Sequence, residues 1–337
     1  MLRKIAVLAL AGLMMTSCQS RAQENPMPQP TPQGTLVRAD VQWPKDKLTL
    51  MEDGTPQLKV YVTADEQLRT MELEKYVEGV LAGEMKNSWP MEALKAQAIL
   101  ARTFVLKFVE EKESRYEGAQ ISTDIEEAQA YSASDINDRI RQAVSETRGM
   151  VLSSSGLLPY AWFHAHSGGL TDAAQVGLGW NKDEPLYTQS VKSEEPETVD
   201  DPADNQVLKD AQRWSAVFPY EEFESACASL GVETVLEEDS DLTISKRGKS
   251  GRADLIDVNG HPLKAAELRI ALGSTKMRST LLTSLIAKEG NVHMAGRGYG
   301  HGVGMSQWGA YGLAEQGKTA EEIVKHYFRG VTVEKIW

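Results

Sequence analysis

The chain has 337 residues, of which 25% are charged, and its formal net charge at pH 7 is −12. Proteins that bind nucleic acid need a basic face for the phosphates, so this charge excludes nucleic acid as an expected partner. There are two cysteines, Cys18 and Cys227, and no CxxC pair. A disulfide-stabilised domain and a thiolate zinc site are therefore not expected.

The first residues have the pattern of an export signal. Arg3 and Lys4 precede an apolar run over residues 5–15, which is shorter than the ~20 residues of a membrane-spanning helix. The Thr-Ser-Cys triplet that ends at Cys18 resembles the lipobox of bacterial lipoproteins, in which the cysteine is lipidated. We therefore expect a lipoprotein signal peptide over residues 1–17, although an ordinary cleaved signal that contains a cysteine has the same pattern. The expected location is the cell envelope, at the outer membrane facing the periplasm if the organism is Gram-negative.

The rest of the chain divides by composition. Residues 18–38 are rich in Pro, Gln and small polar residues, which predicts a disordered tether after the lipidated cysteine. Residues 39–337 exceed what one small core supports, and we expect two lobes around a substrate groove. The fold class is predicted to be α+β, with a strand order that remains open. Acidic residues 192–204 are interpreted as a surface loop.

A helix with an unusual carboxylate is predicted over residues 71–85. The apolar residues of one helix face are Leu73, Val77, Val80 and Leu81. Glu84 takes the next position on that face, where burial makes its charge costly, raises its pKa and keeps a proton available near neutral pH. A general acid needs this condition. Glu72, Glu74 and Glu78 fall off the apolar face and are expected on a solvated surface.

A second, largely buried helix is predicted over residues 92–108, because apolar side chains occupy most of its circumference. Arg102 is a polar exception on this helix. We expect it to orient Glu84 or a neighbouring loop, and it is also a candidate for contact with substrate. In the alternative interpretation, Glu84 is a buried structural carboxylate that pairs with Arg102.

Residues 297–310 contain five glycines, interleaved with polar and aromatic residues. Glycine lets a ligand approach the main chain closely, whereas glycines weaken a strand. This spacing favours a loop that lines a groove, and the alternative is a flexible tight loop. The candidate substrate-binding residues here are Arg297, His301, Ser306, Gln307 and Trp308. A helix is expected to follow over residues 314–327.

Three segments resemble the SpoIID/LytB family, the stage II sporulation protein D group. The loop GHGVGMSQWGA at residues 300–310 is similar to the C-terminal signature of that family. Residues 76–103, which begin YVEGVLAGEM, are similar to its N-terminal signature, and FHAHSGGLT at residues 163–171 is similar to its central motif. The resemblance covers roughly residues 57–337.

This resemblance implies a lytic transglycosylase that cleaves peptidoglycan glycan strands without a required cofactor. Glu84 matches the glutamate to which the family's catalysis is attributed. Such an enzyme uses one carboxylate, which protonates the glycosidic oxygen and then accepts a proton from the substrate's C6 hydroxyl, leaving a 1,6-anhydro end. Ordinary glycosidases use two carboxylates, and Glu267 or Asp172 could supply the second one here.

The central motif contains an H-x-H pair, His164 and His166. On a strand both side chains would point to the same face, as two zinc ligands would. Some relatives have a zinc ligand in this region with Cys in the set, but His166 stands where Cys is expected. Zinc is therefore one interpretation, and a polar or core histidine pair is the other. Ser167 lacks the G-x-S-x-G elbow of a hydrolase nucleophile.

The expected partners follow from the same resemblance. Family enzymes are associated with glycan stripped of stem peptides by an amidase, which exposes lactyl carboxylates. Arg102, Arg269 and Arg297 could supply a basic groove for them, and Trp308 is the aromatic residue best placed to stack on a sugar.

Two other functions remain open: a non-catalytic amidase enhancer that binds the wall or a cell-wall amidase, and a structural lipoprotein. Wall remodelling or daughter-cell separation is a more plausible setting than sporulation.

Overall fold

The structure, a computed structural model, describes residues 40–238 and 240–337. It contains helices and several small sheets, which confirms the predicted α+β class. The predicted signal peptide, the lipid attachment at Cys18 and the tether lie outside the described residues. Within those residues, no helix has both the length and the apolar character that crossing a membrane requires.

The helices are α1 (Leu73–Glu84), α2 (Met91–Glu111), α3 (Asp138–Glu146), α4 (Ala174–Gly177), α5 (Pro202–Gln212), α6 (Tyr220–Ser229), α7 (Ala265–Ala271), α8 (Gln307–Glu315) and α9 (Ala320–Tyr327). The strands are β1 (Thr49–Leu50), β2 (Pro56–Val62), β3 (Gln67–Glu72), β4 (Ile121–Ser122), β5 (Met150–Ser153), β6 (Phe163–His164), β7 (Trp214–Pro219), β8 (Leu242–Arg247), β9 (Ala253–Val258), β10 (His261–Lys264), β11 (Leu282–Lys288), β12 (Asn291–Gly296), β13 (Met305–Ser306) and β14 (Thr332–Lys335).

The strands form small sheets rather than one large one. The first sheet has the order β1-β2-β3, with β4 pairing parallel to β2, and two further sheets have the orders β10-β9-β8 and β11-β12-β7. The pairs β13-β6 and β14-β5 complete the pattern. The parallel pair β13-β6 joins the glycine loop to the central motif, at Met305–Phe163 and Ser306–His164.

Two large hydrophobic clusters carry the fold. The first contains the buried faces of α1 and α2 together with residues of α3, α8 and α9. The second lies between residues 214 and 294 and includes β7, β9, β12, α6 and α7. Cys227, in the second cluster, is buried as a free thiol. The substrate groove predicted between two lobes stays a prediction.

The apolar face of α1 is buried, as its periodicity predicts, but the acidic residues of this helix are not all solvated. Leu73, Val77, Val80 and Leu81 are fully buried. The prediction that Glu74 and Glu78 lie on a solvated surface is wrong, because each is only 7% exposed. The reason is that α1 is enclosed by both α2 and α3, so that more than one of its faces is covered.

The helix predicted over residues 314–327 is two helices. α8 ends at Glu315 and α9 begins at Ala320. Gly317 between them has φ +81°, a conformation that glycine adopts without strain. Thr319 then forms a capping box with Glu322, and each side chain accepts a hydrogen bond from the other residue's backbone N–H, which fixes the start of the second helix.

Candidate active site

Glu84 is the last residue of α1 and only 3% exposed. Its Oε1 accepts a hydrogen bond from the backbone N–H of Ala130 at 2.7 Å, and its Oε2 accepts a longer one from Nε2 of Gln307 at 3.4 Å. Burial raises the pKa of Glu84 from an ordinary 4.5 to about 8, although both hydrogen bonds act in the opposite direction. The carboxyl group is therefore largely protonated at neutral pH.

Two glycines of α1 allow this arrangement. Ser132 N donates to Gly79 O at 2.9 Å, so residues 130–132 lie directly against the helix. A Cβ on Gly83 would overlap the backbone of Ala130 and Tyr131. The small residues thus let the segment approach closely enough to place a backbone N–H on the Glu84 carboxyl, an effect that the apolar pattern of α1 did not indicate.

A small cavity adjoins Glu84. Its volume is about 40 Å³, which is room for about one water molecule. Gln307 and Trp308 of α8 form one wall, and Val207 and Ala211 of α5 form another. Ala165 of the central motif also lines it. The structure therefore unites the N-terminal motif, the central motif and the glycine loop around one carboxyl group, in a site too small for a sugar ring.

The glycine loop is a tightly packed element rather than a flexible one. Gly302 has φ +80° and Gly304 has φ +68°. A Cβ on Gly302 would overlap the guanidinium of Arg252, and one on Gly304 would overlap the carbonyl of Trp162. Gly302 O accepts a hydrogen bond from Asp172 N at 2.8 Å. The groups that approach the main chain of this loop belong to the protein itself.

We expect Gly304→Ala to destabilise the chain by several kcal/mol, because it combines a left-handed backbone with a backbone clash. Gly317→Ala is the matched control. It has the same sign of φ, but no atom lies within 4 Å of its Cβ position, and about 1 kcal/mol is expected. Urea unfolding measures both values, and equal losses for the two variants would contradict the close-packing interpretation.

His301 lies in the interior of the protein. It is 2% exposed, and its Nδ1 accepts a hydrogen bond from Val303 N at 3.0 Å. Burial, together with the nearby Arg269 and Arg252, lowers the pKa of His301 to about 3. The ring of His301 is therefore a neutral part of the interior, and its contact with substrate stays a prediction.

Ser306 and Gln307 are at the beginning of α8, beside Glu84. Gln307 makes the contact with Glu84 described above. Ser306 caps the helix by accepting a hydrogen bond from Gly309 N at 3.2 Å. Its hydroxyl also donates to Oε1 of Glu195 at 2.6 Å. These two predicted substrate-binding residues are thus in the site, and their role in binding remains a proposal.

Glu195 is the carboxylate that sequence analysis missed. It belongs to the acidic residues interpreted as a surface loop, yet its side chain is only 5% exposed. Asp172 and Glu267, the expected sources of a second acid, are held elsewhere: Asp172 accepts from Ser250 Oγ at 2.6 Å, and Glu267 lies 3.9 Å from Lys264. No pattern in the sequence distinguishes Glu195 from its acidic neighbours. Moreover, α5 begins within this segment, at Pro202.

The Glu84 cavity is not lined by any of the three arginines predicted to form a basic groove. Arg102 is fully buried and pairs with Glu74, not Glu84, through Nη2 and Oε2 at 2.7 Å. Arg269 is 3% exposed and donates to the carbonyl of Arg278 at 3.2 Å. Arg102 and Arg269 are therefore structural cations, because both are committed to interior partners. Arg297 is exposed and lies outside the cavity lining.

The histidine pair does not fit a zinc centre. His164 Nδ1 lies 3.1 Å from Val303 O, whereas His166 Nδ1 lies 3.3 Å from Glu195. Across residues 40–238 and 240–337, no group of three or more His, Cys, Asp or Glu side chains could hold a metal ion. A zinc site needs at least three protein ligands. Burial instead lowers the pKa of both histidines and keeps them neutral.

Trp308 is a packing residue as well as a cavity wall. It is 2% exposed, and its ring centroid lies 4.4 Å from that of Trp89. Stacking on a sugar would require the ring to become accessible, so direct stacking stays a prediction. The other tryptophans near the motifs, Trp162 and Trp180, pack against each other at 5.2 Å.

Comparison with known proteins identifies the family. The family model described as stage II sporulation protein (SpoIID) matches residues 62–153. The stage II sporulation protein D of Bacillus amyloliquefaciens is 32% identical over 298 residues, which cover 85% of this chain and 80% of that protein. The chain belongs to the stage II sporulation protein D family. The Bacillus subtilis (strain 168) member is 30% identical, over 82% of this chain and 79% of its own length.

Two further similarities bear on the site. A model of a domain of unknown function, DUF8618, matches residues 179–304, which include Glu195 and the start of the glycine loop. The amidase enhancer of Bacillus subtilis is 27% identical over 76% of this chain, but this match covers only 40% of that protein. Glu84 therefore lies within the SpoIID match, and the segment that carries Glu195 lies within the second match.

Proposed function

We propose that this member of the stage II sporulation protein D family is a peptidoglycan lytic transglycosylase with Glu84 as its acid and base. The observation that carries the proposal is a buried carboxyl group whose pKa is raised to about 8. Three sequence motifs that are separate along the chain surround it. Catalytic acids are typically poised near the operating pH by burial in this way.

The proposed chemistry returns the enzyme to its starting state without water. Glu84 gives its proton to the glycosidic oxygen as the bond from that oxygen to C1 breaks. The C6 hydroxyl of the same sugar then attacks C1, and its proton passes to the Glu84 carboxylate. The products are a 1,6-anhydro end and a new free hydroxyl end. The amide of Gln307 and the N–H of Ala130 are placed to stabilise the carboxylate between these two proton transfers.

The environment of Glu195 supports a single-carboxylate scheme. Its carboxylate accepts hydrogen bonds from Ser306 Oγ at 2.6 Å and Gly169 N at 2.9 Å, and from Ser167 N. A carboxylate whose oxygens are engaged by three donors has little free acceptor capacity for activating a water molecule. A hydrolase of the ordinary kind needs a second carboxylate that activates water.

Product analysis tests the proposal. The full chain is incubated with glycan strands that carry or lack stem peptides, and the new ends are identified by mass spectrometry. We expect 1,6-anhydro ends, formed preferentially from stripped strands. Reducing ends that have gained water would show a hydrolase and point to Glu195. The absence of cleavage with retained binding would favour the alternative function below.

The pH dependence follows from the raised pKa of Glu84. The acid form is the active one, so kcat/KM should be constant up to about pH 8 and fall about tenfold per unit above it. Initial rates of anhydro-end formation between pH 5 and 9 measure this. Rates that fall about tenfold per unit across this whole range would show a proton donor with the ordinary pKa near 4.5 and would contradict the raised pKa of Glu84.

The alternative is a non-catalytic protein that binds the wall and enhances a cell-wall amidase. Its support is the similarity to an amidase enhancer and the small cavity of about 40 Å³ at Glu84. Under this alternative, Glu84→Gln leaves the effect on amidase activity unchanged.

Under either function we propose an envelope location through a lipid on Cys18, which Cys18→Ala and membrane fractionation would test.

A further inference from the structure

A second polar site adjoins the Glu84 cavity. We call it the carboxylate cradle, and it consists of the backbone N–H groups of Ser167 and Gly169 and the hydroxyl of Ser306. All three donate to the carboxylate of Glu195: Ser306 Oγ at 2.6 Å, Gly169 N at 2.9 Å, and Ser167 N. Ser306 and Ser167 are fully buried. The cradle therefore has the donor chemistry of a buried carboxylate-binding site.

His166 borders the cradle with unused hydrogen-bonding capacity. Its Nδ1 lies 3.3 Å from Oε2 of Glu195 and 3.0 Å from Gly168 N, so that nitrogen can serve either group depending on the tautomer. Its Nε2 is buried and has no hydrogen-bond partner among the described residues. Buried polar atoms without partners are uncommon and costly. An unmatched ring nitrogen at this position points to a ligand larger than the Glu195 carboxylate.

The cradle and the proposed catalytic acid share one structural support. Ser306 belongs to the cradle, and the adjacent Gln307 contacts Glu84. Both residues are at the beginning of α8, and Ser306 is paired with the central motif through the β13-β6 bridge to His164. A ligand bound in the cradle would therefore contact the residue next to the one that contacts Glu84.

The segment that carries Glu195 also forms one wall of the Glu84 cavity. This covering segment, residues 192–212, comprises the acidic stretch and α5. Val207 and Ala211 form the cavity wall, and Asp204 forms an ion pair with Lys86 beside it. The cavity of about 40 Å³ is too small for a sugar ring, and movement of the covering segment would enlarge it. This movement would remove the acceptor from the cradle.

When the Glu195 carboxylate leaves the cradle, the buried donors need a new acceptor. Unsatisfied buried donors cost about 1–3 kcal/mol each, so a replacement of the same chemistry would be favoured. We propose that the carboxylate cradle binds a carboxylate of the glycan strand, and that Glu195 is its internal stand-in when no glycan is bound. The inference rests on the proposed function, because lactyl carboxylates are exposed on the peptide-free strands that this enzyme would cleave.

Binding measurements test this proposal separately from catalysis. The full chain carrying Glu84→Gln binds without cleaving, and the probes are peptide-free strands and the same strands with their lactyl carboxylates converted to methylamides. We expect Glu195→Ala to lower the Kd for carboxylate strands about tenfold by removing the internal competitor. The gain for methylamide strands should be clearly smaller. Equal gains for both probes, or weaker binding of carboxylate strands, would overturn the proposal.

Two further variants make the result decisive. Glu197→Ala removes the same charge from an exposed position in the covering segment, and it should leave both Kd values unchanged. If Glu195→Ala fails to fold, Asp204→Asn replaces it, because loss of the ion pair with Lys86 loosens the segment. Asp204→Asn should then tighten the binding of carboxylate strands severalfold, and unchanged binding would overturn the proposal. A lack of anhydro products would refute the transglycosylase without affecting these binding results.

Discussion

Glu84→Gln is expected to lower the rate of glycan cleavage about 100- to 10,000-fold, the usual contribution of a general acid and base. Gln is close in shape to Glu and can still accept the hydrogen bond from Ala130 N, but it has no proton to transfer. The release of anhydro ends under single-turnover conditions measures the loss. A variant that retains activity within a few fold would show that the catalytic proton comes from another group.

The same variant should not be less stable than the wild type at neutral pH. The folded protein keeps the Glu84 proton up to about pH 8, whereas the unfolded chain releases it near 4.5. The stability contribution of this group is therefore complete below pH 4.5 and decreases as the pH rises towards 8. Gln has no such dependence, so Glu84→Gln should be more stable at pH 8 by an amount on the order of a few kcal/mol.

Glu78→Gln is the matched control for both measurements. Glu78 lies on the same helix and is 7% exposed, and it forms an ion pair with Lys75 at 2.8 Å. It is not part of the Glu84 cavity. We expect Glu78→Gln to keep full cleavage activity and to lack the gain in stability at pH 8. A comparable loss of activity in this variant would indicate a general effect of α1 acids rather than catalysis by Glu84.

Arg102→Met is expected to destabilise the protein by about 3–5 kcal/mol, because it leaves a buried carboxylate without its cation. Arg102 is fully buried, and its guanidinium binds Glu74 at 2.7 Å and the carbonyl of Met150 at 2.9 Å. Glu74 also accepts from Gly149 N at 3.0 Å and Trp337 Nε1 at 3.1 Å. The Arg102–Glu74 pair therefore helps to hold Trp337 against α1. Denaturant unfolding measures the contribution of this pair to stability.

The double variant Arg102→Met with Glu74→Leu should recover part of the lost stability, because no unpaired charge remains. Arg297→Met is the control at an exposed arginine and should change stability by no more than about 0.5 kcal/mol. If Arg102→Met were as mild as Arg297→Met but abolished glycan binding, the role of Arg102 in substrate contact, predicted from the sequence, would be restored.

Local patterns in the sequence predicted α1 well. The spacing of Leu73, Val77 and Leu81 depends only on helix geometry, so it also located Glu84 on the buried face. The break between α8 and α9 had a readable signal as well. Gly317 and the Thr319-x-x-Glu322 pattern mark a helix end and a capping box, which separate the two helices.

Local sequence patterns did not predict contacts between side chains that are far apart in the chain. Arg102 faces α1 as expected, but it meets Glu74 in the first turn rather than Glu84 in the last. The sequence contains no information on how α2 is aligned along α1. Glu195 reaches Ser306 across 111 positions of the chain, and its buried site is created only when the central motif and the glycine loop pair. A run of acidic residues is normally solvated, and nothing local marks one member as buried.

Direct titration of the Glu84 carboxyl group tests the central claim. Glutamate labelled with carbon-13 at the side-chain carboxyl is incorporated into the full chain, and the Glu84 resonance is assigned by its absence from Glu84→Gln. The chemical shift is followed by NMR from pH 3 to 10. We expect a midpoint near 8, which shows a carboxyl group protonated at neutral pH by burial. A midpoint near 4.5 would show an ordinary carboxylate and contradict Glu84 as the general acid.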